Sequence, residues 1–230
     1  MNLTKDSIWI LLRKVTVPAS TGSLFMTFYN LVDTYFAGKI SPEALAAIAK
    51  SWPIYFVAMA VAIGIQAGTQ ALISNAVGAK ENKKASMYVA QSISFAVVIS
   101  IFVTMFGLNY SEYLLQIMGS EKDSILLTKK YLDIIFFGAI IILIQLSLNG
   151  TLTAQGDTKS YRNVLIFSFF INIFLNPLFI FGYGPVPSFG IAGLAIATLV
   201  AQGISLIYLA YKVYCCKLKK FLYLKCFIPK

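Results

Sequence analysis

The chain has 230 residues, of which 58% are hydrophobic and only 12% charged; a water-soluble domain carries about twice that charge and cannot hide so much apolar surface. Its formal charge of +10 comes from 19 Lys and Arg against 9 Asp and Glu, a balance that would suggest nucleic acid in a soluble protein but that here falls between long apolar runs, where basic residues set membrane topology. Histidine is absent, which removes the commonest general base and zinc ligand, so neither an enzyme nor a nucleic-acid binder is expected.

Lys5, Arg13 and Lys14 lead into an apolar stretch too long for a cleavable signal, which predicts a retained first helix. Stretches of about twenty residues, enough to cross about 30 Å of hydrocarbon, predict spans at Val15 to Phe36, Trp52 to Ser74, Met87 to Leu108, Tyr131 to Ala154, Val164 to Tyr183 and Ile191 to Tyr211. The fold expected is all-α and membrane-integral, a bundle of six transmembrane helices over residues 1–214 followed by a basic cytoplasmic tail at 215–230. Turn chemistry separates the spans at Gly38 to Pro42, Gly78 to Lys84, Gln155 to Lys159 and the uncharged Gly184 to Ser188. Fourteen basic residues fall on one side of this arrangement and five on the other, which predicts both termini in the cytoplasm and a multi-pass protein of the cell (inner) membrane. Cys215, Cys216 and Cys226 have neither an upstream partner nor metal-ligand spacing, and are expected to be free thiols.

Polar residues inside the spans carry the functional signal, because an ionised carboxylate in hydrocarbon costs several kcal/mol unless it meets a partner, an ion or water. Asp133 lies near the start of its span beside Lys129 and Lys130, which predicts an interfacial ion pair. Asp33 instead keeps company with Asn30, Thr34 and a first span rich in hydroxyls, and is expected to face protein or water. On the fifth span Asn172 and Asn176 share a face, and Pro177 frees a backbone carbonyl. With Thr198 of the sixth span, these residues offer the oxygen ligands a hard cation such as sodium requires; hydrogen bonding between helices is the other use of such asparagines. Gln66 with Gln70, Gln145 with Asn149 and Thr198 with Gln202 form further polar pairs. The aromatic residues, Tyr29 among them, divide between packing, interfacial belts and a pocket for flat cations.

Several of these segments, in this order, resemble the multidrug and toxic compound extrusion (MATE) transporters, in particular the prokaryotic branch related to the DNA-damage-inducible efflux proteins. The segments are Val32-Asp33-Thr34 with Ala37-Gly38 and Ala44 to Ala47, Gly150 to Lys159, Asn172 to Pro177, and Gly190 to Thr198. Pro18 is placed like the proline at which that family's first helix bends. The resemblance implies one six-helix lobe of a two-lobe antiporter that exports amphipathic, cationic organic compounds against sodium or protons and needs no cofactor. It implies a cation-coupling set of Asp33, Asn172, Asn176 and Thr198, with Tyr29, Asn30, Gln66, Gln145 and Asn149 as candidate substrate-lining residues. Where the prokaryotic pattern has a second aspartate, this chain has Asn176. The partners expected are the bilayer, small organic cations and a second lobe, either as a homodimer or as a partner half. Alternatives from other classes are a truncated, non-transporting fragment or half-subunit and a lipid-linked saccharide flippase.

Overall fold

The computed structural model describes residues 7–216. Cys226 and nearly all of the basic tail lie outside them, as does Lys5. Seven α-helices are present among the described residues: α1 (Ile8–Ile40), α2 (Pro42–Gly78), α3 (Asn82–Ile117), α4 (Lys122–Phe137), α5 (Ala139–Ala154), α6 (Lys159–Phe181) and α7 (Ile191–Tyr214). Four of them, α2, α3, α6 and α7, are long and apolar enough to cross a membrane, and α4 with α5 makes a fifth crossing if counted as one span. At 33 residues α1 has the length to cross, but its hydroxyls keep it less apolar than those four.

Helix ends follow local chemistry. Ser41 caps α2 by accepting a hydrogen bond from the Ala44 amide at 3.1 Å, and Pro42 fills the first helical position, where its missing N–H costs nothing. Asp157 performs the same service for α6, accepting from the Ser160 amide at 3.0 Å and from the Ser160 hydroxyl at 2.6 Å. The turn from α6 to α7 runs back over the end of α6: Phe189 and Gly190 amides donate to the Phe179 and Ile180 carbonyls, and the Ser188 hydroxyl also donates to Ile180. Gly182 begins that turn at φ 78°, with neighbouring backbone 2.8 Å from where a Cβ would stand, so only glycine fits there.

The apolar run expected as a single span at Tyr131 to Ala154 is interrupted. It divides at Gly138 into α4 and α5, whose axes are bent by 49°. Hydropathy runs unbroken through this point, so only packing reveals the break. The Phe136 ring lies where any Cβ on Gly107 of α3 would stand, and Leu199 of α7 fills the space above Gly138. The Phe136 carbonyl at the end of α4 accepts from Thr104 of α3 at 2.7 Å, which satisfies a group that the break would leave bare in hydrocarbon.

Beyond the bend, α5 is the centre of the bundle, with 12 of its 16 residues buried between α2, α3 and α7. Its polar side chains are used internally or between helices: Ser147 donates to Ser92 of α3 at 3.1 Å, and Thr151 to its own helix. Gly150 lets the Gln66 carbonyl of α2 approach to 2.6 Å from its absent Cβ. Ser168 of α6 and Ser205 of α7 share a buried hydrogen bond of 2.6 Å. Small residues and hydroxyl pairs of this kind are how helices associate where lipid offers no hydrophobic drive.

Candidate functional site

α1 packs chiefly on α6, which in turn packs on α7, and the polar residues of these three helices converge on Asp33. The four residues at the site come from positions up to 165 apart in the chain. Asn176 Nδ2 donates to Asp33 Oδ1 at 2.9 Å and also to Asn172 Oδ1 at 2.9 Å. Thr198 Oγ1 donates to Asp33 Oδ2 at 3.3 Å. Both asparagines are 0% exposed and Asp33 is 9% exposed. No Lys or Arg ion-pairs with Asp33 among the described residues, whose ion pairs are Lys84 with Glu81 and Lys129 with Asp133. Two buried atoms beside it, Asn172 Nδ2 and Asn176 Oδ1, have no hydrogen-bond partner.

The site is therefore a carboxylate hydrogen-bonded only by neutral donors, with a spare amide oxygen at its edge. Hard monovalent cations take this oxygen chemistry, and so does a proton, which would convert Asp33 into a donor. In this geometry the Asn176 NH₂ group lies between two oxygens, from Asp33 and Asn172, and donates to both. Pro18 is buried within an α1 that runs unbroken from Ile8 to Ile40.

Asp33 opens onto a cavity of about 100 Å³ that Tyr29, Asn30 and Gln145 also line. That space holds an ion and a few waters, whereas sites for drug-sized molecules run to about 300–1,000 Å³. Gln66 and Asn149 do not line this cavity. Gln66 belongs to the α2 and α5 seam through its carbonyl against Gly150, and Asn149 is 3% exposed, accepting from Thr153 at 3.3 Å. Other walls, Trp52 and Tyr55 of α2, Tyr131 of α4, Tyr161 of α6 and Gln202 of α7, are scattered over four helices; Gln202 pairs by spacing with Thr198, but nothing in the sequence groups the aromatic residues of the three other helices. Phe25 and Phe28 of α1 pack instead with Phe169 and Phe170 of α6 as a ring cluster of their own.

Asp133 is arranged differently. It pairs with Lys129 one turn earlier at 3.5 Å, with both side chains partly exposed. Cys215 and Cys216 are free thiols.

Comparison with known proteins agrees with this architecture. The FAD transporter of Shewanella oneidensis is 28% identical over 195 residues, 85% of this chain and 43% of that protein. The multidrug export protein MepA of Staphylococcus aureus is 24% identical over 201 residues, 86% of this chain and 43% of that one. The chain thus spans less than half the length of these relatives, which are transporters. The outward-facing structure of a multidrug resistance MATE transporter of the MOP superfamily superposes on 96% of this chain and 48% of its own with a TM-score of 0.85 at 26% identity. A MATE structure in its bent conformation matches with a TM-score of 0.85 and one in the straight conformation with 0.83. The family model MatE matches residues 18–178, from Pro18 through Asn176 and well over half the sequence, and the chain is a multi-pass membrane protein belonging to the MatE family.

Proposed function

We propose that this chain forms one lobe of a cation-coupled exporter, in which Asp33 takes up sodium or a proton and the charge change drives transport of amphipathic, cationic organic compounds. The observation that carries the reading is the buried carboxylate held by Asn176 and Thr198 without a basic partner. Uncompensated charge at membrane depth is costly and marks an ion pathway. Entry of a cation would turn the Asn176 amide to present Oδ1 in place of Nδ2; a proton on Asp33 would remove the charge that the Asn176 and Thr198 donors now stabilise. Either event changes the packing of α1 against α6 and α7 and shifts the balance between two lobe conformations.

The roughly 100 Å³ cavity is too small for an organic substrate by itself, which supports placing that substrate between this lobe and a second one. Alternating access likewise needs two bodies, supplied by a second copy or a partner half.

The test is efflux of a fluorescent organic cation from proteoliposomes under an imposed sodium or proton gradient, with light scattering to report the number of copies per particle. Gradient-driven efflux that Asp33→Asn abolishes is the expected result, since asparagine keeps shape and hydrogen bonding but cannot titrate. Full coupled efflux in Asp33→Asn would end the coupling role. Silence of the unaltered chain would favour a non-transporting half. The orientation proposed with it, both termini cytoplasmic, predicts that single cysteines at Ser41 and Ser188 react with an impermeant reagent outside cells while one at Lys83 does not.

A further inference from the structure

A second concavity lies between α2 and α3 and shares no lining residue with the cavity at Asp33. It encloses about 530 Å³, and Gly64 and Gly68 of α2 form its floor, with nothing within 4 Å of where their Cβ atoms would stand. From α3 it is walled by Tyr88, Gln91, Phe95 and Ile99, residues spaced so that they share one helical face. One turn before Tyr88 on that same face is Lys84, which with Lys83 lies in the first turn of α3, while Lys80 belongs to the connection from α2. The one acidic residue beside them, Glu81, pairs with Lys84 at 2.9 Å. Lys80 and Lys83 are both exposed, so the segment that joins the helices ahead of Tyr88 carries net positive charge.

The dimensions select the occupant. From Tyr88 to Ile99 a helix rises about 16 Å, close to the ~15 Å depth of one leaflet of hydrocarbon. The groove's mostly apolar lining over that length, Val61, Ile65, Leu72, Phe95 and Ile99 among it, suits a hydrocarbon chain. Charge decides the headgroup, because a cluster of lysines at the membrane surface favours anionic lipid.

We propose that the α2 and α3 groove is a binding site for an anionic glycerophospholipid, with one acyl chain lying along Gly64 and Gly68 and the phosphate headgroup held by Lys80, Lys83 and Lys84. This site is independent of the Asp33 reading and requires no transport. Its role would be to fix the separation of α2 and α3 along the groove.

The experiment uses the full chain, purified and delipidated in mild detergent, with bound lipid counted by native mass spectrometry during titration. Phosphatidylglycerol and phosphatidylcholine with identical acyl chains are the probes. Phosphatidylglycerol should bind at least about fivefold tighter, and Lys83→Gln with Lys84→Gln should erase that preference while the arginine pair keeps it. Gly68→Leu fills the groove without backbone strain and should weaken both lipids by about tenfold; Gly64→Leu substitutes for it if that variant fails to fold. Equal affinity for the two lipids in the unaltered chain would overturn the headgroup assignment. Unchanged lipid binding in both glycine variants would overturn the site, as would a dimer that Gly68→Leu dissociates while lipid stays bound, since the groove would then be a helix contact.

Discussion

Asp33 and Asp133 are both acidic residues close to a helix end in an apolar stretch, yet the fold treats them in opposite ways. Asp133 stays partly exposed beside Lys129, one turn back on its own helix, and its environment is set by local sequence. Asp33 is buried against α6 and α7 and receives its hydrogen bonds from Asn176 and Thr198, 143 and 165 residues away. The difference teaches that depth along a helix does not make a carboxylate functional. What matters is whether the helices packed around it supply a cation or only neutral donors.

Removing a donor from Asp33 is the strongest way to break this contrast. Asn176→Leu leaves the buried carboxylate without its shortest hydrogen bond and should cost about 2–4 kcal/mol, because the group loses its partner but not its desolvation. Thermal unfolding in detergent near neutral pH checks it, and a shift no larger than that of a surface substitution would mean Asp33 is already solvated through its cavity. Thr198→Val is expected to be milder, about 1 kcal/mol, since a neutral hydroxyl at 3.3 Å contributes one modest hydrogen bond. A loss as large as that of Asn176→Leu would show that the two donors act as a unit. At the bottom of the scale, Asp133→Asn should change stability by about 0.5 kcal/mol or less, as exposed pairs do, and leave transport intact. Asn176→Asp sharpens the contrast from the other side: a second carboxylate should give a sodium-dependent rise in melting temperature, absent with choline as the cation, that exceeds any seen in the unaltered chain.

The residues around Asp33 were legible in the sequence because each carries a local signature. Asp33 is an acid in a span, Asn172 and Asn176 are four apart ahead of a proline, and Thr198 lies in a run of small residues. Asn149 and Gln66 look equally polar and equally intramembrane, but α5 and α2 press together through Gly150, which takes the Gln66 carbonyl, and Asn149 is buried beside it. The tyrosines at 55, 131 and 161 lacked any shared spacing, so their common cavity exists only in three dimensions. The bend at Gly138 was hidden for a similar reason: an apolar run reports how much chain lies in lipid, not whether it stays straight.

That bend gives α7 two attachments at adjacent residues. Thr198 touches the carboxylate on α1, and Leu199, about 100° further round the helix, rests above Gly138 where α4 meets α5. A turn of α7 about its own axis cannot move one without the other. Both contacts thus ride on one rigid segment: a rotation of α7 that lengthened the link from Thr198 to Asp33 would also shift Leu199 against the bend at Gly138.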